Sequence, residues 1–229
     1  MSQVKLTPRL NAVADLVNAK HKVADIGSDH AYLAAFLVEQ GRVEEAIVGE
    51  VAKGPLENAK KTVRSQGLTE AIDCRLADGL AAIQPEDGVE TVVIAGMGGL
   101  LIKKILADHQ ELGPFPELVL QPNTDQDALR AWLVANGYQV TKEEMVEEGI
   151  HRYEIIVAKP GKQELSKEDL TFGPFLRQAA GPIFQAKWQH EKDRLQLVLD
   201  RLKEAGQSQS EKYREVEETI QQIAKELSK

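Results

Sequence analysis

One cysteine, Cys74, stands in the whole chain, so no disulfide can form within it. It falls in a strand-like run over residues 71–76, where a small packing residue is expected rather than a reactive thiol. Long apolar runs are also missing, and none approaches the length of a membrane span. The N-terminal residues Met1 to Lys5 carry no apolar signal segment, so a cytoplasmic location is expected. An excess of positive charge is absent too. The net charge is −8, which argues mildly against a broad nucleic-acid-binding surface. Residues 186–229 hold nine basic and nine acidic side chains, so the deficit sits in the first 185 residues. Any contact with RNA must then use a local basic patch rather than the global field.

What is present is a regular alternation. Thr7 followed by Pro8 reads as a helix cap with proline in the first turn, and Leu10, Val13, Ala14 and Val17 make one apolar stripe. Strand-like runs follow at 23–26, 46–49, 72–76, 91–95 and 118–121. Helix-like stretches lie between them at 32–40, 56–65, 100–108 and 125–136. Such alternation implies right-handed crossovers and a parallel, doubly wound α/β sheet. The runs 137–145 and 153–158 have no helix between them, only an acidic turn at Glu147, Glu148 and Gly149. They predict an antiparallel pair closing the sheet. Lys159, Pro160 and Gly161 punctuate the chain, dividing it into expected domains 1–160 and 161–229. Beyond them Phe184, Trp188, Leu195, Val198, Leu202 and Ala205, then Tyr213, Val216, Ile220, Ile223 and Leu227, space an apolar seam on two helices. An antiparallel coiled helical hairpin is predicted, either a packing appendage or an arm for a large substrate. The seam leaves monomer and dimer both open.

The sharpest motif is the passage from Val23 to Leu33, VADIGSDHAYL. A buried strand ends at Ile26, the chain turns at Gly27, and a helix is expected to start near Asp29, itself a good cap. Ligands of such sheets bind beyond the carboxyl ends of the strands. A dinucleotide fingerprint needs glycines two and five residues after the first, where this chain has Asp29 and Tyr32. A carboxylate repels a pyrophosphate but attracts the sulfonium and ammonium of S-adenosylmethionine, so Asp25 and Asp29 favour that cofactor. Ile26, Ser28 and His30 complete the turn. Glu50 ends the second strand beside Val51, where an acid can accept from both ribose hydroxyls. Ala77, Asp78 and Gly79 end the third, where a carboxylate can accept from an adenine amino group. The fourth runs into Ala95, Gly96, Met97, Gly98 and Gly99, a glycine floor for the methionine part and a flat base. The fifth runs into Gln121, Pro122 and Asn123, and Asn123 is either a site residue or a helix cap.

DIGSDHAYL, a strand-ending glutamate, ADG, AGMGG and QPN, followed by a helical tail, together resemble the bacterial tRNA (adenine-N1)-methyltransferases that act on adenine 22. The resemblance spans nearly the whole chain. It implies a Rossmann-like class I methyltransferase sheet, mostly parallel, with a C-terminal antiparallel coiled coil. It implies S-adenosyl-L-methionine as cofactor, tRNA as partner and no metal. Gly27, Asp29 and His30 would line the methionine end, with Glu50 on the ribose and Asp78 on the adenine. Gly96 to Gly99 and Asn123 would border the acceptor pocket. AGMGG replaces the asparagine-proline-proline-aromatic motif of exocyclic-amine chemistry. Adenine N1 has a free lone pair and no proton to lose, so no strong base is needed. Asp29, His30 and Asn123 are the catalytic candidates, with Tyr32 on the target base. Lys5, Arg9, Lys103, Lys104 and Arg152 are candidate phosphate contacts. Another RNA position, a small-molecule acceptor, or a non-catalytic RNA-binding scaffold are the alternatives.

Overall fold

The structure, a computed structural model, describes residues 4–229. Thr7 caps α1 (Pro8–Leu16), its hydroxyl accepting the Leu10 N–H, with proline in the first turn as predicted. Then come β1 (Val23–Ile26), α2 (Tyr32–Glu39), β2 (Ala46–Glu50), α3 (Lys53–Ser65), β3 (Ile72–Leu76) and β4 (Thr91–Met97). They are followed by α4 (Gly99–Asp108), β5 (Glu117–Pro122), α5 (Gln126–Ala135), β6 (Tyr138–Glu148) and β7 (His151–Pro160). The chain ends with α6 (Lys167–Phe172), α7 (Pro174–Ala179), α8 (Pro182–Glu204) and α9 (Glu211–Leu227).

Seven strands form one sheet in the order β3-β2-β1-β4-β5-β7-β6. The first five are parallel, and β7 runs antiparallel between β5 and β6. The antiparallel closure is thus as expected, but its turn is shorter. Glu147 and Glu148 pair with Arg152 and His151, leaving Gly149 and Ile150 to turn the hairpin. Strands β1, β2 and β5 are buried along their whole length, because helices cover both faces. Alternate residues of β4, β5 and β7 feed two cores. Val92, Ile94, Leu118 and Leu120 pack with Ile102, Leu106, Leu129 and Leu133 of α4 and α5. Val93, Val119 and Val157 pack with Val13, Val17, Leu33 and Leu37 of α1 and α2. The sheet changes direction between β1 and β4, which opens a crevice at their carboxyl ends.

Two compact units emerge, one ending at Phe175 and the other spanning Leu176–Lys229. The punctuation at Lys159 to Gly161 therefore ends β7 rather than the first unit. Residues beyond it are retained by a buried cluster. Arg130 of α5 binds Glu143 of β6 and Glu154 of β7, and it also donates to the Leu170 carbonyl at 3.0 Å. The second Glu143 oxygen accepts the Phe175 N–H at 2.9 Å. In the second unit α8 and α9 are joined through residues 205–210 and pack together. Phe184, Trp188, Leu195 and Leu199 are buried on α8, and Val216 and Ile223 on α9. Leu199 replaces the expected Val198, because the four-residue step from Leu195 returns to the same face. Ala205 lies past the helix end and is exposed.

Candidate functional site

The cleft at the sheet's switch point encloses about 280 Å³. Asp25, Gly27, Ser28, Asp29, His30, Tyr32 and Leu33 line it from β1 and the turn after it. Arg9 and Leu10 of α1 and Ala95 and Gly96 of β4 complete it. Asp25 is the deepest charge. It is 4% exposed, and one carboxylate oxygen, Oδ2, has no hydrogen-bond partner. Burial pushes its carboxyl from the ordinary 3.8 up to about 6, against the pull of a hydrogen bond from Ser28. Above it Gly27 has φ +76, a left-handed conformation that favours glycine, with the tip of the Met97 side chain packed over it.

The turn is longer than predicted. Ala31, not Asp29, precedes the first helical residue, and it adopts a left-handed φ of 53. Asp29 caps nothing. It is exposed at the cleft and lies 3.3 Å from His30 Nε2. His30 in turn stacks on Tyr32, with ring centroids 5.0 Å apart and planes 10° from parallel. The extra residues thus free one carboxylate and present a flat aromatic pair.

Other predicted residues stand at the neighbouring strand ends, outside that cleft. Glu50 is buried at the end of β2 and accepts the Ala52 N–H at 3.0 Å. Val51 beside it is 65% exposed. Ala77 donates its N–H to the Glu50 carbonyl, and Asp78 is exposed before Gly79, whose φ is +54. Ile26 lies in the core beneath the turn. At the end of β4 the register with β5 shifts between Ala95 and Met97, so Gly96 is a bulge with φ +83. Gly98 and Gly99 follow against Thr124 and Asp125, where backbone contact leaves no room for a side chain on Gly99.

Asn123 does not cap α5. That position belongs to Asp125, with a left-handed φ of 57. Instead Asn123 donates to the Gly96 carbonyl at 2.8 Å and accepts from Gln121 at 3.0 Å. Gln121, fully buried, accepts from Arg9 Nη1 at 2.6 Å. Arg9 sits over the Tyr153 ring at 5.4 Å, and its backbone N–H donates to Glu148 Oε2 at 2.9 Å. Sequence reasoning missed Gln121 and Tyr153 as the partners of Arg9. The polar residue QPN-terminating β5 was the available signal for Gln121.

The remaining basic candidates are scattered. Lys104 pairs with Asp108 on α4, next to half-buried Lys103. Arg152 pairs with Glu147 at 2.9 Å on the β6–β7 hairpin, and Lys5 is exposed before α1. Cys74 is half-buried on edge strand β3, and burial pushes its thiol up to about 11, away from thiolate chemistry. A second cavity of about 290 Å³ is lined by Phe115, Trp132, Tyr138 and their neighbours. Its lining contains no carboxylate, so it is ill suited to a cation.

A parallel sheet with its switch at β1 and β4, an antiparallel β7 inserted next to β5, and acids at three successive strand ends define a Rossmann-like class I methyltransferase. The family described as tRNA (adenine(22)-N(1))-methyltransferase matches residues 23–225, and this chain belongs to it. The Bacillus subtilis tRNA (adenine(22)-N(1))-methyltransferase is 34% identical over 221 residues, 93% of this chain and 92% of that protein. Sp1610 of Streptococcus pneumoniae, solved in complex with S-adenosyl-L-methionine, is 40% identical. It superposes with a TM-score of 0.91 over 97% of this chain and 100% of its own. M. capricolum TrmK, solved with the cofactor product S-adenosyl-homocysteine, is 28% identical with a TM-score of 0.86, covering 97% and 98%.

Proposed function

We propose that this chain methylates N1 of an adenine in tRNA, the adenine at position 22, with S-adenosyl-L-methionine as donor. The observation that carries the reading is Asp25, a buried carboxylate with one oxygen unpartnered beneath a glycine turn. An uncompensated buried anion is costly, and a cationic ligand in the cleft removes that cost. S-adenosyl-L-methionine, when bound, supplies an electrophilic methyl group on a cationic sulfur. The other acids fit the same molecule. Gly27, Ser28, Asp29 and His30 hold its amino-acid end, Glu50 and Val51 the ribose, and Ala77, Asp78 and Gly79 the adenine. Ala95 to Gly98 form the floor between donor and acceptor.

The stacked His30 and Tyr32 rings offer a flat surface for an everted base, whose removal from the stack costs a few kcal/mol. N1 carries no proton at neutral pH, so the protein's task is alignment rather than deprotonation. Asp29, exposed at the cleft, stabilises the positive charge that grows on the base. The sheet unit ending at Phe175 is the catalytic domain in this reading. Leu176–Lys229 adds a coiled, antiparallel helical arm that contacts tRNA. Lys5, Lys103, Lys104 and Arg152 meet phosphate, and the enzyme works in the cytoplasm on its tRNA.

The test is incubation of the protein with unmodified tRNA and labelled cofactor, then nuclease digestion and mass spectrometry. A single 1-methyladenosine at position 22 is expected. Label in a small molecule, at another nucleotide, or nowhere would overturn the assignment. Asp29→Ala should abolish most turnover while leaving the melting temperature in place.

A further inference from the structure

Arginine donates hydrogen bonds and accepts none, and this asymmetry gives a direction to the contacts beside the cleft. Arg9 Nη1 donates to Gln121 Oε1 at 2.6 Å. With its oxygen held, Gln121 turns its NH2 the other way, and Nε2 donates to Asn123 Oδ1 at 3.0 Å. Asn123 then has its own NH2 to offer, and Nδ2 donates to the Gly96 carbonyl at 2.8 Å. Reversing the two amides would set donor against donor at Arg9 and acceptor against acceptor at Gly96. The polarity of the chain is therefore fixed at both ends, by a donor-only arginine and an acceptor-only carbonyl, and Arg9 is the end that holds the Gln121 oxygen.

The far end is the bulged glycine of β4, which lines the cleft. Bulges beside active sites re-aim the groups around them, and this one is pinned twice from β5. The Asn123 side chain holds the Gly96 carbonyl, and the Asn123 backbone N–H donates to the Met97 carbonyl at 2.7 Å.

We propose that Arg9 is a positioning residue for methyl transfer, acting through Gln121 and Asn123 to fix the Gly96 carbonyl on the acceptor side of the cleft. Arg9 is itself held on three sides, by Glu148 at its backbone, Tyr153 under its guanidinium and Gln121 at its tip. Its guanidinium is engaged at the wall of the cleft by Gln121 and Tyr153. The kinetic consequence rests on the methyltransferase reading, while the hydrogen-bond polarity does not.

Gln121→Glu separates a relay from a simple anchor. Glutamate keeps the size and still accepts from Arg9, but it has no N–H for Asn123. An anchor would tolerate it. A relay would not, and kcat should fall by roughly tenfold to a hundredfold with cofactor Kd unchanged, as small misplacements at a reacting centre do. Arg9→Ala should show the same split, and Arg9→Lys, which keeps a donor for Gln121, should recover part of the loss. Wild-type kcat in Gln121→Glu would overturn the proposal. A second readout needs neither cofactor nor RNA. Asn123 is exposed, so the readout is a difference: exchange of its side-chain amide protons, followed by NMR in the free protein, should be slower in the wild type than in Arg9→Ala. Equal protection in both would overturn the relay. A wild-type protein inactive on tRNA would sink the function reading alone, and the amide exchange would still decide the relay.

Discussion

Among the regions that bury carboxylates, two do so in opposite ways. In the first, Glu143 and Glu154 lie against Arg130 with side chains essentially inaccessible to solvent. The remaining valences are filled by the Leu170 carbonyl and the Phe175 N–H. Burial, and to a lesser degree the neighbouring Glu154 charge, pushes the Glu143 carboxyl upward, and the guanidinium opposes them. In the second, Asp25 has Ser28 and no cation, and an oxygen with no partner. Desolvation is the dominant influence on both acids, so the difference is compensation. The satisfied cluster clamps residues up to Phe175 onto the sheet. The unsatisfied acid lies where a ligand arrives. A fold can leave a buried anion without a partner when the missing charge comes with the substrate, and the location of the deficit then marks the site.

The largest effect should come from breaking the satisfied cluster. Arg130→Met leaves two buried acids facing each other, at a cost of about 3–5 kcal/mol. Chemical denaturation should show that loss, together with early proteolysis between residues 161 and 175. A near-normal midpoint would mean that the cluster does not hold this segment. The next effect has the opposite sign. Asp25→Asn removes an uncompensated charge and should stabilise the ligand-free protein. A shift from 3.8 to about 6 caps the gain at about 3 kcal/mol. The same variant should bind S-adenosyl-L-methionine at least tenfold more weakly by calorimetry. Destabilisation at pH 8, or unchanged affinity, would remove the contrast between the two regions.

Strands β1, β2, β4 and β5 were legible because each is a short, largely apolar run closed by a turn residue, and the acids sit at or near strand ends: Asp25 within β1, Glu50 at the end of β2 and Asp78 just past β3. Local rules failed where backbone geometry overrode the nearest good cap. Asp29 and Asn123 both look like helix caps, yet Ala31 and Asp125 hold those places in left-handed conformations. The contacts that join distant segments were not legible at all. Arg9 and Gln121 are 112 residues apart, and Arg130 meets acids 13 and 24 residues away, the nearer of which, Glu143, sits in a charge-rich run resembling a solvated strand. Lys142, Glu144 and Glu147 in that run are in fact on the outside, and only the register of β6 with β7 separates them from Glu143. The tail seam slipped from Val198 to Leu199 because both fit a helical spacing, and only packing chooses between them.

Acidity gives a third and smaller effect. The folded protein holds the Asp25 proton more tightly than the unfolded chain does, since its pKa is raised from 3.8 to about 6. This contribution to stability is full below about pH 4 and is lost as pH rises through 6. Cofactor affinity runs the other way, because a cation binds the carboxylate and not the acid. Affinity should drop by up to about tenfold per pH unit as pH falls below 6. Arg9, Asp29 and His30 share the cleft, so the control is Asp25→Asn, which should flatten that slope. A slope of equal size in the variant would assign the titration to another group.

An exposed ion pair completes the series and carries the smallest expected effect on stability. Arg152 and Glu147 meet at 2.9 Å on the β6–β7 hairpin, but both retain solvent access, so water already screens them. Arg152→Gln should change stability by less than about 1 kcal/mol. If Arg152 meets tRNA phosphate, the same substitution raises KM for tRNA and leaves cofactor Kd alone. The rise should shrink in higher salt, because a phosphate contact is supported by counterion release. A KM that is unchanged at low salt would restrict Arg152 to its pair with Glu147. A stability loss as large as that of Arg130→Met would refute the premise that burial, rather than charge pairing as such, separates the regions of this protein.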